Sequence, residues 1–254
     1  MTIPGGAGFL SWLRRALAMS AVILLAASVV KAAPGPFPYA RIGVANGCFV
    51  ESVAFGDELR ARFGGDVWYR LLQWGAQEAD EVVAGHAVVV FAHRDRLWCY
   101  DVNYGFTPLD LPLAQRDDLP AVAKLATTPY LPRLKPYFPV YREDYPQSPD
   151  PAPPAPFDEV EDHDLRDAAL VAGRLAAHRK VQLVEFTYPQ EGETRHSAAV
   201  AFVFNGRVCV YSPSAGTVPF RVTAVTVENL RQLQELLRRI YPGAGNLKVR
   251  GAAQ

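Results

Sequence analysis

Residues 85–105 read GHAVVVFAHRDRLWCYDVNYG, and residues 195–216 read RHSAAVAFVFNGRVCVYSPSAG. Each stretch has a histidine, an apolar run, a turn, an arginine, a second apolar run and a glycine. Two apolar runs of four to eight residues joined by a short polar turn predict a β-hairpin. In the first copy the strands are HAVVVF and RLWCYDV, joined at His93-Arg94-Asp95. The first copy ends its second strand in Tyr100-Asp101, the second copy in Tyr211-Ser212.

Working outward, the likeness continues. Arg96 and Arg207, Tyr100 and Tyr211, Gly105 and Gly216, and Pro108 and Pro219 are each 111 residues apart. So are Leu119 and Leu230, Leu125 and Leu236, and Tyr130 and Tyr241. The histidines, His86 and His196, are 110 apart, which implies a one-residue insertion in the turn. Leu230, Leu233, Leu237 and Ile240 recur at helical spacing, with Thr226 as N-cap and Pro242-Gly243 as the stop. Upstream of the first hairpin, Asn46-Gly47 is a turn. From Cys48 to about Phe63 the chain predicts an amphipathic helix, its apolar residues set among Glu51, Asp57, Glu58, Arg60 and Arg62. Asp66–Trp74 reads as a strand. The predicted fold class is α+β, with two tandem units, each a helix packed on a small antiparallel sheet. Residues 146–156, PQSPDPAPPAP, cannot sit in a helix or a central strand. The expected organisation is a lead at 1–32, a first unit at 33–145, a linker at 146–157 and a second unit at 158–254.

Chemistry concentrates in the first unit. A thiol at a helix N-terminus faces the positive end of the helix dipole and unpaired backbone N–H groups, which favours the thiolate. The same N–H groups suit an oxyanion. A histidine on a nearby strand can take and return the proton, and a carboxylate one hairpin further can orient the imidazole. Cys48, His86 and Asp101 occur in that order, the last two 15 residues apart. Cys99 is a rival nucleophile, though a strand-centre thiol lacks activation by a helix dipole.

On these residues, about 46–105, the chain resembles the transglutaminase-like core of the papain-like cysteine hydrolases. The stretches that carry the likeness are NGCFVESVAFGDELRARFG and GHAVVVF with RLWCYDVNYG. The resemblance implies Cys48 as nucleophile, His86 as general base and acid, and Asp101 as the orienting residue. It leaves Asn46 as the oxyanion candidate. It implies an amide hydrolase or acyl transferase acting on a peptide or cell-wall peptide, with no cofactor and no metal. In the second copy His196 and Ser212 form a degenerate site. The position of Cys48 maps onto Asp158-Glu159, and Cys209 aligns with Trp98. The second unit is expected to be a non-catalytic partner. A binding or scaffold protein of the cell envelope, inactive in both copies, is the alternative function.

The bulk composition narrows the setting. The chain has 254 residues, half of them hydrophobic, and a formal net charge of zero. This gives no footprint for nucleic acid. Arg14-Arg15 followed by the apolar run Ala16–Val30 has the pattern of a signal peptide. It is shorter than the 20 or so residues of a membrane span. The expectation is export, periplasmic or secreted, with an uncleaved anchor as the alternative and membrane association through that segment only. Without its three basic residues the remainder carries 23 basic and 26 acidic side chains. Three cysteines leave one over if two pair.

Overall fold

The computed structural model describes residues 35–78, 81–130, 135–137, 163–220 and 229–250. The N-terminal lead, the proline-rich linker, Asp158-Glu159 and Thr226 lie outside the described residues. The protein is α+β, with two five-stranded antiparallel sheets. Helix α1 spans Cys48–Phe63, followed by β1 (Tyr69–Glu78), β2 (Glu81–His93), β3 (Arg96–Asp101), β4 (Gly105–Leu109), α2 (Leu119–Thr127) and β5 (Lys135–Tyr137). Then come α3 (His163–Ala176), β6 (Val181–Gln190), β7 (Glu193–Phe204), β8 (Arg207–Ser212), β9 (Gly216–Phe220), α4 (Leu230–Ile240) and β10 (Gly245–Arg250).

The two halves share one topology. The first sheet runs β4-β3-β2-β1-β5 and the second β10-β6-β7-β8-β9, the same order read from the other edge. The registers repeat as well. Val89 faces Tyr100 and Asp101 faces Gly105, as Val200 faces Tyr211 and Ser212 faces Gly216. The sequence reading anticipated three strands in the first unit and the hairpin in the second, to which the structure adds β6. The structure adds β4 and β9, which run back along the hairpins, and β5 and β10 on the far edges.

Why AVVVF is apolar at every position is now evident. Strand alternation sends successive side chains to opposite faces, and both faces of this sheet are covered. Val88 and Val90 pack with Leu72, Leu97, Val122 and Ala126, under α2. Val89 and Phe91 pack with Phe55, Leu59 and Tyr100, against α1. The second sheet repeats this, with Leu233 and Leu237 of α4 on Val184, Ala199 and Val208. Between the sheets lies a common core built from α1 (Val50, Val53, Ala54), α3 (Ala168, Val171, Ala172, Leu175), Leu71, Ala87, Val200, Phe202 and Tyr211. Each unit thus has an apolar cluster of its own, and the two also share an interior. Each contributes a helix to a shared interior.

This changes the reading of α1. Glu51 and Asp57, which the helical pattern assigns to a polar face, are 1% and 5% exposed. A buried carboxylate needs partners. Glu51 accepts from the Tyr100 hydroxyl at 2.9 Å and from the Ile42 amide at 2.8 Å. Asp57 receives the fork of Arg179 from the second unit, at 2.7–2.9 Å. The three cysteines form no disulfide. Cys99 lies under α2 and Cys209 in the shared core, on either side of the first sheet.

Candidate active site

Three elements converge on one end of the first sheet. Gly47 precedes α1, and among the described residues no side chain caps its first turn. Cys48 is the first helical residue and is half-buried. His86 stands on β2 opposite Trp74 of β1, and Asp101 closes β3. Alternation places His86 and Asp101 on the face that α2 covers, opposite the face on which α1 packs. Pairing between β2 and β3 is registered no further than Val89 and Tyr100. Among the described residues no strand pairs with β2 beside His86 on that side, and the imidazole shares a hydrogen bond with the Cys48 side chain.

The imidazole is held on its other side. His86 Nε2 lies 3.1 Å from Asp101 Oδ2 and 2.8 Å from the Tyr130 hydroxyl. That hydroxyl in turn donates to Asp101 Oδ2 at 2.7 Å and accepts from the Asn103 side-chain amide at 3.1 Å. With the phenol proton directed at Asp101 Oδ2, the consistent assignment makes Nε2 an N–H donor. The edges of Trp74 and Tyr130 flank the ring, with centroids 5.1 and 4.9 Å away. Asp101 uses its second oxygen, Oδ1, to accept the Asn103 amide at 2.7 Å, so the carboxylate also closes the turn after β3.

The electrostatics follow from this packing. Burial works against the imidazolium. The hydrogen bonds to Asp101 and then Cys48, with the charges of both, outweigh it, and His86 is raised from 6.5 to about 9. A group raised in this way stabilises the fold most where the unfolded chain is also protonated, below about pH 6.5. That stability is lost as pH climbs through about 9. We therefore expect His86→Ala to cost on the order of 3 kcal/mol at pH 6 and much less at pH 9.5, read from urea denaturation. An equal cost at both pH values would mean that His86 gains no proton on folding.

Other candidates separate clearly. Cys99 is deeply buried, and burial, followed by the Asp101 charge, pushes its thiol far above the ordinary value. This thiol is inert where that of Cys48 is presented. Asn46 has a left-handed backbone (φ 50°), and its side-chain amide donates to the Pro213 carbonyl at 2.6 Å. In the second unit the pairing of the histidines is corrected. The registers make Ser197, opposite Phe186, the counterpart of His86 opposite Trp74. His196 is one residue off, exposed, and on the other sheet face from Ser212. The one-residue difference lies not in the hairpin turn but in the first unit's β1–β2 ladder, whose register shifts between Ala76 and Gln77 while that of β6 and β7 runs unbroken. Ser197 is fully buried and donates to Asp164 of α3 at 3.1 Å. Ser212 accepts the Ala215 amide at 3.2 Å, one residue further along than the Asn103 amide that Asp101 accepts.

Tyr130 is the functional residue that the sequence reading passed over. It figured only as the partner of Tyr241 in the repeat. That identity held a clue to position but none to role. Tyr130 bonds His86 and Asp101, whereas the buried Tyr241 hydroxyl has no hydrogen-bond partner among the described residues. No family model, curated protein or solved structure matches this chain. Its functional reading therefore rests on the geometry of these side chains.

Proposed function

We propose that the protein is a cysteine-dependent acyl transferase or amide hydrolase of papain-like, transglutaminase-like type, with Cys48 as nucleophile, His86 as general base and acid, and Asp101 as the orienting carboxylate. The observation that carries this reading is the side-by-side placement of a helix-terminal thiol, an imidazole and a buried carboxylate. Cys48 attacks an amide carbonyl and forms a thioester. The protonated His86 gives its proton to the departing amine. Water or a second amine, deprotonated by His86, then attacks the thioester and releases Cys48. The backbone N–H groups of the uncapped first turn of α1 are suited to the oxyanion, a task for which Asn46 is less available because it donates to Pro213. The substrate class is a peptide or cell-wall peptide, and the basic-then-apolar N-terminal lead favours an exported protein that would meet such a substrate outside the cytoplasm.

The test is a burst experiment. With p-nitrophenyl acetate, the full chain is expected to release about one equivalent of p-nitrophenolate rapidly, with an acetyl group then found on Cys48 by peptide mapping. Cys48→Ala should show no burst. Equal traces for the two proteins would remove the nucleophile assignment and favour the reading as a non-catalytic envelope scaffold.

A further inference from the structure

The loop that delivers Cys48 is held from outside its own unit. Tyr211 Oη, on β8, donates to the Ala45 carbonyl at 2.7 Å. The Ala45 amide donates to Asp167 Oδ2 of α3 at 3.2 Å. The Asn46 side chain donates to the Pro213 carbonyl in the turn after β8. Gly216, at φ 69°, lets the second unit come closer still, since a Cβ there would lie 3.0 Å from the Asn46 carbonyl oxygen. Three hydrogen bonds and one close backbone approach thus act on the two residues that precede Gly47 and Cys48.

The repeat gives these contacts a logic. Tyr100 and Tyr211 occupy the same register position in their sheets, opposite Val89 and Val200. Both hydroxyls reach the segment that carries Cys48. Tyr100 binds Glu51 within α1, and Glu51 holds the Ile42 amide. Tyr211 binds the loop at Ala45. The nucleophile is gripped through its helix by one unit and through its approach loop by the other.

We propose that the second unit, in which Ser197 and Ser212 stand where the first has His86 and Asp101, is a clamp that sets the position of Cys48, with Tyr211 as its principal positioning residue. The proposal rests on the acyl-transfer reading for its purpose and on the contacts for its geometry. A thiol displaced by about 1 Å loses much of its chemistry, on the order of 10²-fold.

The test uses the full chain with Tyr211→Phe, which removes one hydroxyl, and Tyr241→Phe as control, since that hydroxyl is buried in the same unit without a partner among the described residues. Two readouts are taken: amide hydrogen exchange of the peptide covering 43–50, and the pH profile of Cys48 alkylation. Tyr211→Phe is expected to raise exchange in that peptide about tenfold and to lower Cys48 alkylation at pH 6 by a similar factor, with Tyr241→Phe like wild type in both. Loop exchange that stays at the wild-type rate overturns the clamp, whatever Cys48 does. Faster exchange with an unchanged alkylation profile also overturns it, because the loop would then be held without consequence for the thiol. If wild-type Cys48 itself is unreactive in acid, the acyl-transfer reading fails, and the exchange result alone decides the clamp. Should Tyr211→Phe not fold, Asn46→Ala removes the bond to Pro213 and is read in the same way.

Discussion

At pH 6, Cys48 is expected to be alkylated by iodoacetamide about 10²-fold faster in the wild-type chain than in His86→Ala. The size follows from the fraction of thiolate. An ordinary thiol with a pKa of about 8.5 is thiolate in well under 1% of molecules at pH 6. An imidazolium hydrogen-bonded to the sulfur lets the thiolate form persist far into the acid range. Part of the gain is returned because a better-stabilised thiolate is a weaker nucleophile. His86 is suited to this, since Asp101 and Cys48 outweigh burial and carry it to about 9. Removing the imidazole should convert a broad plateau into a single rise near the ordinary thiol value. Peptide mapping separates the sites, and the buried Cys99 and Cys209 serve as internal controls that should stay unmodified while the protein is folded. A single rise near pH 8.5 in both proteins would mean that the pair is not activated, and the enzyme reading would be abandoned.

The largest effect on stability is expected at a pair that touches no reacting atom. Arg179 is 1% exposed and Asp57 5%, and the guanidinium spans both carboxylate oxygens while Nη1 donates to the Val203 carbonyl at 2.7 Å. Burial raises the Asp57 carboxyl, and the Arg179 charge and hydrogen bonds pull it back only in part, so the net direction is upward. Such a pair contributes little net stability, but removing one member strands the other. Asp57→Ala should lower the unfolding free energy by about 3–5 kcal/mol, measured by urea denaturation. Replacing both members by apolar residues, Asp57→Leu with Arg179→Met, should recover most of that loss. A cost below about 1 kcal/mol for Asp57→Ala would show that water reaches the stranded guanidinium. The pair joins α1 to the segment after α3, so its value lies in setting how the two units meet. The same alignment brings Tyr211 to Ala45.

The parts of this protein that depend on neighbours in sequence were legible. The hairpins followed from apolar runs broken at Arg94-Asp95 and Asn205-Gly206, and α1 starts and stops where the pattern placed it. The 111-residue offset is the register offset of the hairpins. The histidine pairing failed for an instructive reason. His86 and His196 are alike in type and nearly alike in spacing, but a slip of one residue on a strand turns a side chain to the other face, and only the ladder with β6 revealed the slip. Glu51 and Asp57 were assigned to a polar face because helical periodicity separates polar from apolar residues and cannot say that Tyr100 and Ile42 enclose the one and Arg179 the other. Cys48, His86 and Asp101 could be listed in order, yet nothing in their spacing indicated that a thiol on the helix packed against one face would meet an imidazole on the other.

What the sequence determined by itself is local: the hairpins and their turns, the helix that begins at Cys48, the repeat and the residue types able to do acyl chemistry. Only the tertiary structure decided that α1 and α3 share one interior, that Tyr130 bridges His86 and Asp101, that Arg179 closes on Asp57, and that Tyr211 holds the loop before the nucleophile. These partners lie 29 to 166 residues apart. Periodicity and turn chemistry act over a few bonds and mark a face as buried. What buries it, and which polar groups are then brought together to satisfy one another, is settled by the packing of the whole chain.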